Sequence, residues 1–566
     1  MGEQSIEFIA RLLSQATREI PHCDPRQGGN LGEKIKIYGM QYTGNAWSQL
    51  ILSVAMTGAI LPAPADAVPR SGELQLHVID DATGKPLACR MHLKNDRGRP
   101  RKAPKAPFLV DHFIFESPIS LVLREGNYTF EAECGPEYKT RTGHFKMERG
   151  GTDTKTLRMR RFVDMAAEGW YAGDLYVRRP VRDIEKLMQA ENLAFVQVIS
   201  WSDTMNNWKR STDQLTDLRR ENRDPQLLFS ICAGRDTRAS GGLSIFPLAD
   251  DNTRLPENGF PIDRLREDHP PAVELAQSWQ AGEPVWIDAE SPDTRDLPVW
   301  VAHGLVNSVR LAHHRYTRAG LKKEPPTPPS CVPRDQDQYP GVNGLGHWCE
   351  TIYYRLLESG LRIVPTAGSG SGDVGNPIGH NRVYVYLGSD TPMTKDAWWE
   401  GLRKGQVMVT NGPMLRVLVH GQPPGHVFRG NPGETLQLEP DIKLSVKERV
   451  DYLEIVKNGR VIRAVNLGKG AGGELPPITF EQSGWFLVRV RASSNQTHRF
   501  ATTGPFYVEF ETPRISQTAT NFFGQWLAKQ AVKLAQEDPE NWQKLQPYYE
   551  QAAVFWKQRA TAATVD

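Results

Sequence analysis

Two carboxylates spaced two residues apart close a short apolar run: Pro284-Val285-Trp286-Ile287 leads into Asp288 and Glu290. On an extended strand residues i and i+2 point the same way, so both carboxylates are expected to face one space. Such a pair can do acid–base work or hold a hard cation such as calcium or magnesium. Asp293 and Asp296 follow closely, and Arg295 offers the plainer alternative of salt bridges. Other candidates also stand at the ends of apolar runs. Asp174, Tyr176 and Arg178 alternate within Glu168-Gly-Trp-Tyr-Ala-Gly-Asp-Leu-Tyr-Val-Arg-Arg179; Asp174 is read as a group that hydrogen-bonds loops. Asp203, then Arg235 with Asp236, follow the next two runs, and the Arg–Asp neighbours read as a structural ion pair or as ligand contacts. The loop Ala367-Gly-Ser369-Gly-Ser-Gly-Asp373 can turn successive backbone N–H groups toward an anion, but it lacks the Lys-Ser/Thr of a phosphate-binding P-loop. His380, beside Arg382, comes next. Together with Arg178 and the loop, these residues favour a phosphate, sulfate or carboxylate ligand. His303, His313, His314 and His347 are scattered, and adjacent histidines on a strand point in opposite directions. No Gly-x-Ser-x-Gly elbow or cysteine–histidine signature supports nucleophilic catalysis.

The elements that must position these residues fall into successive patterns. From Gly72 to about Arg160 short period-two strands alternate with turns such as Asp81-Ala82-Thr83-Gly84, which reads as a β-sandwich over 72–160. It resembles the carboxypeptidase-regulatory or transthyretin-like modules that precede many secreted enzymes. Over 161–413 apolar strands (LAFVQVIS, PQLLFSIC, EPVWIDAE, VNSVRLAH, LRIVPTAG) alternate with helical stretches (DIEKLMQAEN, WCETIYYRLLESG). That alternation predicts a mainly parallel sheet, and its repetition a distorted TIM-type α/β barrel with functional residues at strand C-terminal ends. Short strands return over 414–512, predicting a second β-sandwich. The tail, 513–566, reads as a helical hairpin, with Asp538 capping a helix that begins at Pro539 and Phe523, Leu527, Ala531 and Leu534 on one apolar face.

The run GWYAGDLYVRR resembles the opening strand of the CehA/McbA (carbaryl-hydrolase-like) branch of the polymerase-and-histidinol-phosphatase, or PHP, metallohydrolases. IDAESPDTRDLPVW at 287–300, YYRLLESGLRIVPTAGSGSG at 353–372, HNRVYVYL at 380–387 and GPFYVEF at 504–510 extend the resemblance in order. It implies a PHP-like α/β barrel flanked by the two sandwiches, and a metal centre held by histidines. In that branch a His-x-His pair closes the first strand; here Tyr176 and Arg178 stand there. Arginine has no lone pair to give, and tyrosine is an uncommon zinc ligand. The Thr-Asp-His motif is replaced by Trp201-Ser202-Asp203-Thr204. Gly370 and Gly372 stand where Gly-Ser-Asp-x-His has its Asp and His. No metal ligand and no cofactor are therefore assigned; a divalent metal belongs only to the alternative of an active hydrolase of phosphoester, ester or carbamate bonds with its site rearranged around Asp288 and Glu290.

The chain has 566 residues, enough for three or four domains. Its formal net charge of +2 gives no reason to expect nucleic acid or an acidic membrane as partner. Trp47 to Leu61 has the length of a signal-peptide core, and Ala65-Asp66-Ala67 offers an A-x-A cleavage site. Export to the periplasm or cell exterior is expected, with mature protein beginning near Val68, no membrane anchor in it, and Met40 the more natural start. Cys89 with Cys134, or Cys331 with Cys349, can form disulfides there, and unpaired buried thiols are an equal alternative. The reading is an exported protein on a degenerate metallohydrolase scaffold. It binds a small-molecule, glycan or anionic ligand without metal-dependent hydrolysis. The alternatives are the rearranged hydrolase and a structural cell-envelope protein; oligomeric state is left open.

Overall fold

The structure, a computed structural model, describes residues 70–203, 205–206, 227–238, 240–248, 270–282, 284–318, 328, 330–467, 476–494 and 496–566. The expected leader at 47–67, Met40 and Thr204 lie outside them. The protein is multidomain, α/β plus β. Its first eight strands are β1 (Ser71–Asp80), β2 (Ala88–Asn95), β3 (Phe108–Leu109), β4 (His112–Glu116), β5 (Ile119–Arg124), β6 (Gly126–Glu133), β7 (Arg141–Met147) and β8 (Thr152–Met159). They form two sheets, ordered β5-β1-β8 and β3-β4-β2-β6-β7. Alternate apolar residues of both sheets (Leu74, Leu76 and Val78 from one, Met91, Leu93 and Phe113 from the other) meet in one core. Cys89 is joined to Cys134, while Cys331 and Cys349 are free thiols.

Beyond residue 169 the strands are β9 (Trp170–Val177), β10 (Phe195–Ser202), β11 (Met205–Asn206), β12 (Leu228–Asp236), β13 (Leu243–Pro247), β14 (Val285–Ala289), β15 (Ser308–Ala312) and β16 (Val364–Ala367). Helices α1 (Val181–Glu191), α2 (Ala272–Gly282), α3 (Leu297–Ala302) and α4 (Gly344–Glu358) lie between them. The order in the sheet is β9-β10-β12-β13-β14-β15-β16. The β9–β10, β10–β12, β14–β15 and β15–β16 ladders are parallel. β13 is antiparallel to both its neighbours, because β12 returns directly through a short loop without an intervening helix. The two ends of this run meet: Gly370 N–H donates to the Tyr176 carbonyl at 2.9 Å and Arg178 N–H to the Ser371 carbonyl at 2.8 Å. These strands are largely buried on both sides, as strands covered on both faces are; every residue of β10 is buried.

β17 (Arg382–Tyr386) runs antiparallel to the first half of β9, and β18 (Val407–Thr410) follows it. β18 then pairs with Phe500–Thr503, so the later strands continue the same sheet. Hydrogen bonding does not stop near residue 413, where the change of pattern suggested a separate sandwich. Helix α5 (Lys395–Arg403) places Trp398 against Gly173 of β9, where a Cβ would overlap the indole. The tail forms helices α6 (Gln517–Glu537) and α7 (Pro539–Thr561), with the Asp538 carboxylate accepting from Asn541 N–H at 3.1 Å. The hairpin packs on the loop after β14: Trp526 Nε1 donates to the Arg295 carbonyl, Trp556 Nε1 to the Pro298 carbonyl, and Tyr549 Oη to Asp296. No described helix is long and apolar enough to cross a membrane.

Candidate functional site

Asp288 and Glu290 leave the end of β14 toward the same interior space, and both meet Arg310 of β15. The Arg310 Nη2 lies 2.7 Å from Asp288 Oδ2, and Nη1 lies 3.7 Å from Glu290 Oε1; the side chains of Arg310 and Asp288 are fully buried. Ser308 and Thr366 donate to the other Asp288 oxygen at 2.6 and 2.5 Å, and Ser244 of β13 donates to Glu290 at 2.7 Å. Arg235, at the end of β12, adds a second cation: its Nε donates to both Glu290 oxygens at 2.6 and 2.8 Å. Burial alone raises the Glu290 carboxyl, but Arg235 and Arg310 outweigh it and hold the group down at about 2. Burial pushes Asp288 upward, against Arg310 and the two hydroxyl donors.

The first strand completes this cluster. Tyr176 lies flat beneath two guanidinium groups, with Arg235 4.5 Å and Arg310 5.1 Å from its ring centre. Its hydroxyl donates to Asp373, a residue of the glycine loop. Arg178 pairs with the other Asp373 oxygen at 2.6 Å, and Arg235 Nη1 is 3.4 Å from Asp373. Arg178, Arg235 and Arg310 thus face Asp288, Glu290 and Asp373, three cations against three anions. His314 stands edge-on to Tyr176 at 5.3 Å between ring centres, and burial together with Arg235 brings its imidazole down to about 3, so it is neutral. The partners Arg310, Ser244 and Asp373 were not singled out in the sequence. An arginine interrupting the apolar run Ser308-Val-Arg-Leu-Ala312 was the available sign, because a charge on a doubly covered strand must point at a partner.

The remaining sequence candidates separate from this cluster. Asp174 is fully enclosed: Ser369 N–H and Oγ, Gly379 N–H and Tyr176 N–H all donate to it, the backbone donors at 2.9, 2.7 and 3.0 Å. The glycine loop therefore does cradle an anion, but that anion is the chain's own Asp174 carboxylate. Gly368 N–H donates to Ala312, Gly370 N–H to Tyr176, and Asp373 and Val374 N–H to Gly370. The expectation that these amides would serve an external anion is corrected accordingly. Arg235 and Asp236 do not pair with each other, since consecutive strand residues face opposite ways; Asp236 instead holds Arg238 at 2.6 Å. Asp203 accepts from Thr237 Oγ1 at 3.0 Å. Arg295 pairs with Asp296, and Arg315 with Asp293, rather than either with Asp288 or Glu290. Arg382 turns away to the C-terminal end of α1, donating to the Glu191 carbonyl at 2.8 Å. It lines a different cleft with His380, so neither can act together with Arg178.

This chemistry does not fit a metal centre in the cluster. Every carboxylate there already faces a guanidinium, and Gly370 and Gly372 adopt φ of +66° and +104°. A Cβ at Gly372 would overlap the Arg178 carbonyl oxygen, and one at Gly370 would lie 2.7 Å from His314 Cβ. Among the described residues the group of three side chains close enough to share an ion is His92, Asp111 and His112 on the N-terminal module. There both Nδ1 atoms lie against Asp111, at 3.2 and 3.0 Å, distances at which the triad is already joined by hydrogen bonds.

No family model and no curated protein matches the chain. Solved structures are similar to it only at low identity and low TM-score. The minor pilin GBS52 of Streptococcus agalactiae is 23% identical over 17% of this chain and 47% of its own, with a TM-score of 0.15. Phospholipase PlaB of Legionella pneumophila is 13% identical over 17% of this chain and 26% of its own, with a TM-score of 0.13. The β-glucuronidase 3 of Bacteroides uniformis is 11% identical over 78% of this chain and 64% of its own, with a TM-score of 0.14. The chain spans about half the length of the pilin.

Proposed function

We propose that this chain is an exported, non-hydrolytic binding protein on a degenerate PHP-type barrel, in which three guanidinium groups stand where metal ions would. The observation that carries the reading is Arg310, seated 2.7 Å from Asp288 and 3.7 Å from Glu290 with no exposure to solvent. A divalent ion entering beside it would be repelled by roughly 4 kcal/mol per unit charge at ~4 Å in an effective dielectric of 20. Asp288 and Glu290 are each engaged by fixed guanidinium and hydroxyl donors, Arg310, Ser308 and Thr366 on the one and Arg235, Arg310 and Ser244 on the other. The meeting of β9 with the loop after β16 supports the barrel. Export rests on the apolar stretch 47–61 and the Ala65-Asp66-Ala67 site.

The ligand is a small anionic molecule, such as an acidic sugar, that takes the place of Asp373 on Arg178 and Arg235. Arg178 and Asp373 are the accessible members of the cluster, with side-chain exposures of 25% and 22%, whereas Glu290 has 3%. Calorimetric titration with galacturonate checks this. Asp373→Asn, which loosens the internal competitor, is expected to bind about tenfold more tightly, a gain of ~1.4 kcal/mol. Arg178→Met is expected to lose binding. Equal affinity in wild type and both variants would defeat the proposal.

A further inference from the structure

A second charged site lies away from the cluster, where three parts of the chain meet. A cleft of about 200 Å³ is walled by Arg90 and Glu133 of the N-terminal module, Glu191, Arg318, His380 and Arg382 of the middle region, and Lys447, Glu448 and Arg499 of the later strands. Its floor is buried and paired. Arg90 joins Glu133 to Glu191, the latter at 2.6 Å, and Arg382 lies 3.8 Å from Glu191. Its rim is less balanced. Arg318 reaches Glu133 at 3.0 Å and also Glu131, which lies behind it; Arg499 reaches Glu448 only at 3.4 Å. Lys447 has no carboxylate within ion-pair reach among the described residues; its Nζ donates to the Gly135 carbonyl at 2.9 Å. Among the described residues five cations thus line the cleft against three carboxylates, and Glu131 still leaves one cation over.

Two buried donor atoms there also lack partners among the described residues: His380 Nε2 and Arg90 Nε. A buried polar atom without a partner costs free energy comparable to a lost hydrogen bond, and a ligand oxygen removes that cost. Burial, with Arg499, Arg318 and Arg90 around it, keeps the His380 imidazole neutral, so it can present one N–H without adding charge. The cationic groups at the rim come from three separate segments and are not one planar fork. They therefore suit an oxyanion with oxygens in several directions better than a flat carboxylate, and lysine acts as a point charge for such a group.

We propose that this cleft binds a phosphate group, free or on a small organic phosphate, held by Lys447, Arg318, Arg499 and His380. Because those residues come from different segments, the bound phosphate ties the middle region to the later strands. Ligand binding to the folded state alone also raises its stability by mass action.

The test is calorimetric titration of the full chain with inorganic phosphate and with glycerol phosphate, at ionic strength fixed with sodium chloride so that general screening is constant. Saturable binding of at least one of the two is expected, and tighter binding of glycerol phosphate would identify an organic phosphate as the occupant. Lys447→Met and Arg499→Met are each expected to weaken it by about tenfold or more. Melting temperatures of both variants are measured alongside, so that weakened binding is read only where the variant remains folded; Lys447 Nζ also donates to the Gly135 carbonyl. Arg178→Met, at the cluster of the preceding proposal, leaves phosphate binding unchanged. No saturable binding of either compound, or wild-type affinity in Lys447→Met, would overturn the inference, as would equal weakening by Arg178→Met.

Discussion

Replacing Arg310 with methionine is expected to remove about 3–5 kcal/mol of folding stability, the cost of leaving a buried charge without its partner. The side chain is fully buried between Asp288 and Glu290 and donates to Ser244 at 3.0 Å. Methionine fills much of the same volume but leaves two interior carboxylates facing one another, with only Arg235 remaining near Glu290. A domain of ordinary stability has about 5–15 kcal/mol in total, so a large fall in the denaturation midpoint, or loss of soluble protein, is the expected result. The companion variant Arg310→Met with Asp288→Asn and Glu290→Gln removes the stranded charges and is expected to recover much of the loss. Acid titration gives a second measurement. Glu290 is held at about 2, below its unfolded value of ~4.3. Its contribution is therefore present above pH ~4.3 and lost as pH falls toward 2. Glu290→Gln should flatten the acid unfolding of the wild type across that window. An Arg310→Met protein as stable as wild type would show that the cluster does not hold the interior together.

Restoring side chains to the glycine loop is expected to fail for a steric reason. Gly372 has φ +104°, and a Cβ there would overlap the Arg178 carbonyl oxygen, to which the loop is tied through the Arg178 N–H bond to Ser371. Gly372→Ala is expected to cost about 1–3 kcal/mol from the backbone conformation alone, with the overlap in addition. Gly375→Ala is the control: its Cβ would meet only Val110 Cγ2, at an ordinary 3.5 Å, and its effect should stay within about 0.5 kcal/mol. Comparable denaturation midpoints for the two variants would show that the loop is free to rebuild, and that a metal-ligating residue could be accommodated there.

The strands were legible because each is a short run of apolar, often β-branched residues bounded by turn residues. LAFVQVIS, EPVWIDAE and LRIVPTAG each hold a strand where the pattern placed one. The convergence of Asp288, Glu290, Tyr176 and Arg178 followed from alternation along two strands. What occupied the space between them did not. Arg310 sits in the middle of an apolar run and pairs across 20 or more positions, which no local spacing records. The glycine loop misled because glycine marks both an anion cradle and a tight closure; here its amides serve Asp174 and the neighbouring strand. His380 lies in the turn before β17 and Arg382 at its start, and the antiparallel pairing of β17 with the first half of β9 accompanies their placement at the second cleft. β13 was missed because Leu243–Pro247 is only a brief run.

The central claim is that arginine has taken the place of metal, and elemental analysis joined to a hydrolysis assay tests it most directly. Protein purified without chelators is expected to hold well under one equivalent of zinc, manganese or iron, measured in parallel on His92→Ala so that any ion on the N-terminal triad is counted separately. Phosphoesterase and carbamate-hydrolase activities should remain at background, also after Tyr176→His with Arg178→His. A full equivalent of transition metal that survives in His92→Ala, and that disappears together with measurable hydrolysis in Asp288→Ala, would contradict the account.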